Sequence, residues 1–155
     1  MATLLKANAE TCKKHLISPG DRKYFPNAFK EAFSELLLRS IPGLKKEEVL
    51  TEVSSVAKDF SDCLKKKYID FVIDKNPRVY IELKTVLSNN DFGAALLEGI
   101  VMERNEKDIF LIITTSEDVA IRRLAKKKPF KEYINGVYSI DCELNEMLEK
   151  IRKLY

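Results

Sequence analysis

The segment Tyr68–Val86, with the sequence YIDFVIDKNPRVYIELKTV, has the pattern of a β-hairpin. Both halves are rich in β-branched and aromatic residues, and the DKNP segment between them (residues 74–77) consists of turn-forming residues. Folding the halves onto each other symmetrically pairs Val72 with Tyr80. The rest of the chain is interpreted around this hairpin.

The same pairing places Asp70 opposite Glu82, and alternation along the strand puts Lys84 on the face of Glu82. Opposed residues of paired strands have Cβ atoms about 4.5–5.5 Å apart, so two carboxylates at these positions repel each other. A divalent cation between them removes that repulsion. The hairpin therefore predicts a metal site formed by Asp70 and Glu82.

An acid on one strand followed by acid-x-lysine on the next resembles the signature of the PD-(D/E)xK nuclease superfamily, which has the restriction-endonuclease-like fold. Here the match is Asp70, then Glu82-Leu83-Lys84, the only Glu-x-Lys triplet in the chain, and Ile69 stands where the family has proline. The resemblance implies that Mg²⁺ or Mn²⁺ is bound by Asp70, Glu82 and the main-chain carbonyl of Leu83. It also implies that Lys84 stands beside the attacking water, to orient or deprotonate it, and that the substrate is DNA.

The family resemblance further implies the element order helix–strand–strand–strand–helix–strand. Apolar periodicity and helix breakers, read independently, predict a helix at 28–41, a strand at 49–57, the hairpin, a helix from 88–90 to 103 and a buried strand at 108–114. A basic helix beginning at 115 or 116, a short strand at 136–141 and a helix at 144–154 follow. We therefore predict one α/β nuclease-like domain over 1–155, with a mixed central sheet flanked by helices and a helical extension at 1–20.

The glutamate-bearing face of the helix before the sheet has two interpretations. In the family, the helix before the sheet often supplies a further glutamate to the metal, and Glu31, eleven residues before Pro42, fits that position better than Glu35. The alternative is that both glutamates lie on a solvated face. In the helix after the hairpin, the inward face is predicted from apolar spacing to contain Phe92, Ala95, Leu96, Gly99 and Ile100.

Two basic clusters are candidates to contact DNA phosphates. One directly precedes the strand of Asp70, and the other lies on the helix after the fourth strand. Their members are Lys65, Lys66 and Lys67, and Arg122, Arg123 and Lys126. The alternative for each cluster is a solvated run of charges, because the net charge of +3 permits nucleic-acid binding without requiring it.

Composition limits the other possibilities. The 155 residues, 45% of them hydrophobic, favour a folded domain, and the absence of a long apolar run or signal-like block predicts a cytoplasmic, non-membrane protein. Cys12, Cys63 and Cys142 are scattered and read as reduced thiols, and His15 is the only histidine. A catalytic mechanism that uses histidine as an acid or base is therefore disfavoured.

The predicted function is that of a metal-dependent endo- or exodeoxyribonuclease. A catalytically silent nuclease-like scaffold that binds DNA or a protein is the alternative, although an intact Asp70, Glu82 and Lys84 argues against it. A nucleotide enzyme is disfavoured because no GxGxxG or GxxxxGK[ST] pattern occurs. A homodimer is expected if both strands of a duplex are cut. The apolar face of the last helix, with Leu144, Leu148 and Ile151, is either its interface or part of the core.

Overall fold

A five-stranded mixed sheet with helices on both faces forms the centre of the structure. The structure, a computed structural model, describes residues 27–54, 68–84, 87–114, 119–140 and 142–155. The strands are β1 (Val49–Ser54), β2 (Tyr68–Ile73), β3 (Val79–Lys84), β4 (Ile109–Thr114) and β5 (Gly136–Ser139). The helices are α1 (Asn27–Ser40), α2 (Asn89–Val101), α3 (Val119–Ala125), α4 (Phe130–Tyr133) and α5 (Leu144–Arg152), and a short 3₁₀ helix spans Lys46–Glu48.

The strands follow one another across the sheet in the order β1-β2-β3-β4-β5. β1, β2 and β3 pair antiparallel, whereas β3, β4 and β5 pair parallel. This division follows from the connections, because a short turn joins β2 to β3, while α2 crosses over between β3 and β4. The predicted α/β class and the mixed sheet flanked by helices are confirmed.

The predicted elements agree with the structure except at their ends. α2 ends at Val101 rather than at residue 103, since Met102 already has an extended backbone. The basic helix is divided into α3 and α4, because Pro129 lacks an N–H and disfavours a helical conformation for the residue before it. The extension at 1–20, residues Lys65–Lys67 and the start of the basic helix at 115 or 116 lie outside the described residues.

Each face of the sheet packs against its own pair of helices. On one face, α1 and α5 cover alternate side chains of β2, β3 and β4, with the ring of Phe33 edge-on to that of Phe71 at a centroid distance of 5.0 Å. Leu144 and Ile151 of α5 are buried in this core. On the other face, α2 and α3 pack over the intervening side chains. The near-continuous apolar run of β4 is therefore explained by burial on both faces.

The buried carboxylate of Asp108 fixes the position of the β2–β3 hairpin relative to β4. One carboxylate oxygen accepts a hydrogen bond of 2.8 Å from the amide of Arg78, and the other accepts one of 2.8 Å from the amide of Asn105. The Arg78 side chain in turn pairs with Asp74 across the turn at 2.7 Å. Glu82 consequently lies beside Ile112 of β4, and Lys84 beside Thr114.

Gly99 allows α2 to approach the sheet and α4 closely. A Cβ atom at Gly99 would lie 2.7 Å from the main-chain oxygen of Tyr133 and 3.3 Å from Cδ1 of Phe110. No heavy atom lies within 4 Å of the corresponding position at Gly93, which the helix exposes. Of these two glycines, Gly99 is therefore the one that the close packing of α2 requires. None of the helices in the described ranges is long and apolar enough to cross a membrane.

The two glycines of α2 make a matched pair for a stability measurement. Gly99→Ala should lower the free energy of unfolding by about 1–3 kcal/mol, because the main chain of α4 must move to accommodate the methyl group. Gly93→Ala should instead raise it by up to about 1 kcal/mol through helix propensity. Urea unfolding followed by circular dichroism measures both, and equal effects of the two substitutions would contradict the close approach.

Candidate active site

The pairing of β2 with β3 ends where the predicted site residues lie. The paired residues are Ile73 with Val79, Val72 with Tyr80 and Phe71 with Ile81, which confirms the predicted register. One further step along this register places Asp70 opposite Glu82.

Beyond the last of these backbone pairs, the side chains of Asp70 and Glu82 connect the two strands. Oδ2 of Asp70 accepts a 2.9 Å hydrogen bond from the amide of Leu83, and the Asp70 amide lies 3.4 Å from Oε2 of Glu82, to which it donates. The strands thus present both carboxylates at one edge of the hairpin, each held by the main chain of the opposite strand.

Lys84 pairs with Glu82 on the same face of β3, with 2.8 Å between Nζ and Oε1. The Glu82 side chain is only 9% exposed, and that of Lys84 is 23% exposed. Burial is the main cause that raises the pKa of Glu82 to about 7, and the carboxylates of Asp70 and Glu98 raise it further, whereas Lys84 lowers it. The carboxylate of Glu82 therefore lies in a site that disfavours its charge.

The same surroundings keep Lys84 positively charged. Burial lowers the pKa of Lys84, but the adjacent Glu82 outweighs burial, and the net shift is upward. Lys84 is accordingly an ammonium at neutral pH. In this arrangement it can donate hydrogen bonds and stabilise negative charge.

Lys30 of α1 is a member of the site that sequence reasoning missed. Its Nζ lies 3.0 Å from Oδ1 of Asp70 and 3.6 Å from Oε1 of Glu52 on β1. Burial lowers the pKa of Lys30, but Asp70 and Glu52 raise it more, and the net shift is upward. The feature of the sequence that indicates this role is that Lys30 follows Phe29, a buried residue of a helix predicted to pack on the sheet.

Glu98 of α2 is a second acid that the sequence did not reveal as part of the site. It is 5% exposed and acts electrostatically on both Glu82 and Lys84. The feature of the sequence that indicates its burial is its position three residues after Ala95, which places it on the same face of the helix. The helix is rotated relative to the prediction, because Glu98 is buried while Ile100 is 48% exposed. The prediction that Ile100 faces inward was wrong.

The two glutamates of α1 lie on the exposed side of that helix. Glu31 and Glu35 are both exposed and line a groove of about 470 Å³ between α1 and β1. Lys30 and Glu52 also line this groove, so it adjoins the site through Lys30. α1 thus contributes a cation to Asp70.

The second basic cluster lies on α3 and in the turn just after it, and α3 packs against β5. Arg122 is paired with Glu143 just before α5, with 2.5 Å between Nη1 and Oε2. Arg123 and Lys126 are exposed. These two residues are therefore the members of the described cluster that solvent reaches freely.

The residues at the site provide a small set of hard oxygen donors. No group of three or more His, Cys, Asp and Glu side chains in the described ranges is arranged to hold a metal ion. A divalent cation would rest on Asp70 and Glu82, with the carbonyl of Leu83 and water completing its shell. This set fits Mg²⁺, which prefers oxygen ligands and keeps several waters. The mutual repulsion of Asp70 and Glu82 is the cost that such a cation would relieve.

Comparison of the chain with protein-family models, with curated proteins and with solved structures found no match. The contacts among Asp70, Glu82, Lys84 and Lys30 are therefore the basis for assigning a function.

The raised pKa of Glu82 predicts a pH-dependent stability in the metal-free protein. The pKa of Glu82 is about 7 in the folded protein, against an ordinary value of 4.5. The protonated carboxyl therefore stabilises the fold fully below pH 4.5, and this contribution is lost as the pH rises through 7. Relative to Glu82→Gln, the wild type should lose free energy of unfolding, on the order of 3 kcal/mol at most, over this range.

Urea unfolding at several pH values in EDTA measures this difference. Glu106→Gln, at an exposed position, is the matched control and should follow the wild type. Parallel pH profiles for the wild type and Glu82→Gln would contradict the unfavourable burial of this carboxylate.

Proposed function

We propose that this chain is a metal-dependent DNA nuclease with a restriction-endonuclease-like core, which hydrolyses phosphodiester bonds at Asp70, Glu82 and Lys84. The observation that carries the proposal is the contact between Asp70 and the Glu82–Leu83 segment of the adjacent strand, with Lys84 paired to Glu82. The observed order of elements, α1-β1-β2-β3-α2-β4, is compatible with the order that the resemblance implies.

Phosphodiester hydrolysis requires an activated water and stabilisation of the charge that builds up on the phosphoryl oxygens. Bound Mg²⁺ or Mn²⁺ would supply Lewis acidity toward the phosphate and the water. Asp70 and Glu82 would hold this ion from adjacent strands. Lys84, as an ammonium fixed by Glu82, donates to the attacking water or to a phosphoryl oxygen and offsets the developing negative charge.

DNA is the proposed partner. Arg123 on α3 and Lys126 just after it are exposed and available to phosphates. In the sequence, Lys65, Lys66 and Lys67 directly precede β2, the strand of Asp70. A single copy carries one set of Asp70, Glu82 and Lys84, so cleavage of both strands of a duplex would use a homodimer or two binding events.

A non-cutting scaffold that binds DNA or a protein is the second candidate. The observation in its favour is that each carboxylate is already neutralised by a lysine, Asp70 by Lys30 and Glu82 by Lys84. Such pairs can serve as a structural ion-pair network. Cleavage measurements on variants of the paired residues separate the two candidates.

Removing either acidic charge should abolish cleavage while the fold survives. Asp70→Asn and Glu82→Gln each delete one charge from the cation site and leave a side chain of the same shape. The assay uses labelled linear, supercoiled, single-stranded and four-way-junction DNA with Mg²⁺, Mn²⁺ or EDTA. Asp74→Asn, an exposed acid near the turn of the same hairpin, is the control and should cut like the wild type. Full Mg²⁺-dependent activity in Asp70→Asn and Glu82→Gln would refute the proposed site.

Lys84→Ala should slow the chemical step on the order of a hundredfold or more, because the developing charge loses a fixed cationic donor. Lys84→Arg should recover part of the rate, since the guanidinium keeps the charge in a different shape. Single-turnover cleavage at saturating enzyme removes DNA affinity from the comparison. Lys75→Ala, at the β2–β3 turn, is the matched control. Wild-type rates for Lys84→Ala would identify Lys84 as a structural ion-pair partner only.

A further inference from the structure

Lys30 occupies the position at Asp70 where a cation is expected. Of the two carboxylate oxygens of Asp70, Oδ2 accepts the amide of Leu83 at 2.9 Å, and Oδ1 lies 3.0 Å from the ammonium of Lys30. The main-chain hydrogen bond fixes the orientation of the carboxylate. A metal ion that coordinates Oδ1 of Asp70 must therefore share or take over the oxygen now paired with Lys30.

Sharing is electrostatically unfavourable. An ammonium and a divalent cation in contact with the same oxygen repel each other at a short distance, and the pair is only partly screened because the side chains of Lys30 and Asp70 are 24% and 18% exposed. Lys30 therefore opposes metal binding for as long as it stays on Asp70.

Glu52 provides a second partner for the same ammonium. Its Oε1 lies 3.6 Å from Nζ of Lys30, and its side chain, on the neighbouring strand β1, is 71% exposed. A small rotation of the Lys30 side chain would exchange Asp70 for Glu52 without leaving the ammonium unpaired. The groove between α1 and β1, which both residues line, gives the side chain room for this movement.

We propose that Lys30 is a positioning residue that stands in for the metal on Asp70 and is displaced onto Glu52 when a divalent cation binds. Lys30 thereby sets the affinity of the site for metal. The inference rests on the proposed function only in taking Asp70 and Glu82 as the metal ligands. It does not depend on DNA being the substrate.

Direct binding of Mn²⁺, followed by the loss of the free-ion electron paramagnetic resonance signal, tests the proposal without any cleavage assay. Five proteins are compared in the absence of DNA: the wild type, Lys30→Met, Lys30→Arg, Lys46→Met and Glu82→Gln. Lys46 is exposed in the same groove, so its variant reports the effect of removing one positive charge there. Glu82→Gln establishes which part of the binding belongs to the site.

Lys30→Met should bind Mn²⁺ about five- to tenfold more tightly than the wild type, because no ion pair has to be broken. Lys30→Arg should bind no more tightly than the wild type, since the guanidinium keeps its charge and can pair with a carboxylate through two hydrogen bonds. Lys46→Met should change the affinity less than twofold. Circular dichroism verifies that each variant is folded. If Lys30→Met does not fold, the comparison of Lys30→Arg with the wild type still tests the proposal.

Several outcomes would overturn the proposal. The first is that Glu82→Gln abolishes Mn²⁺ binding but Lys30→Met binds no more tightly than the wild type. This result would overturn the role of Lys30 and leave the metal site standing. An equal gain in Lys46→Met, or tighter binding by Lys30→Arg, would also overturn it, because the effect would not come from the ion pair. Absence of Glu82-dependent binding in the wild type would overturn both the role of Lys30 and the metal site. The expected order of affinities without DNA cleavage would support Lys30 and count against the nuclease function alone.

Discussion

The burial of the Glu82 carboxylate beside Asp70 is the constraint on which the arrangement of the site depends. A buried charge requires compensation, and an acid raised to a pKa of about 7 shows that the compensation from the protein is incomplete. The fold brings compensation from separate elements: Lys84 lies on the strand of Glu82, and Lys30 extends from α1 to Asp70. Main-chain amides of the two strands supply the remaining contacts. Beyond the last backbone pair of β2 and β3, the two strands are thus joined by a cluster of charged side chains.

The hairpin and its register could be predicted because they depend on local rules. Side chains alternate with a period of two, and the turn residues fix which positions face each other, so the pairing of Val72 with Tyr80 followed from the sequence. The residues that come to the site from helices could not be found in this way. Lys30 and Glu98 reach it through the packing of α1 and α2 on the sheet, and a helix can rotate about its axis without changing its own sequence pattern.

α2 shows why the rotation was ambiguous. Small and apolar residues lie on nearly every side of this helix, so several inward faces have similar hydrophobicity. Gly99 resolves the choice in three dimensions, because the main chain of α4 lies where a side chain would stand. That rotation brings Glu98 inward and leaves Ile100 at the surface. A contact between two helices distant in sequence therefore decides which acid reaches Glu82.

The charges at the site are difficult to explain by stability alone. Replacing a buried ion pair with apolar side chains of similar volume is often neutral or stabilising, because removing charges from water costs about as much as their attraction returns. The other residues of β3 from Val79 to Leu83 are buried apolar side chains on both faces, so an apolar residue at position 82 would extend the existing core. The fold instead keeps a carboxylate there at an unfavourable pKa, with a second carboxylate opposite it. A cation more highly charged than lysine would offset this cost, which is the physical reason that we propose a metal-dependent activity rather than a structural ion-pair network.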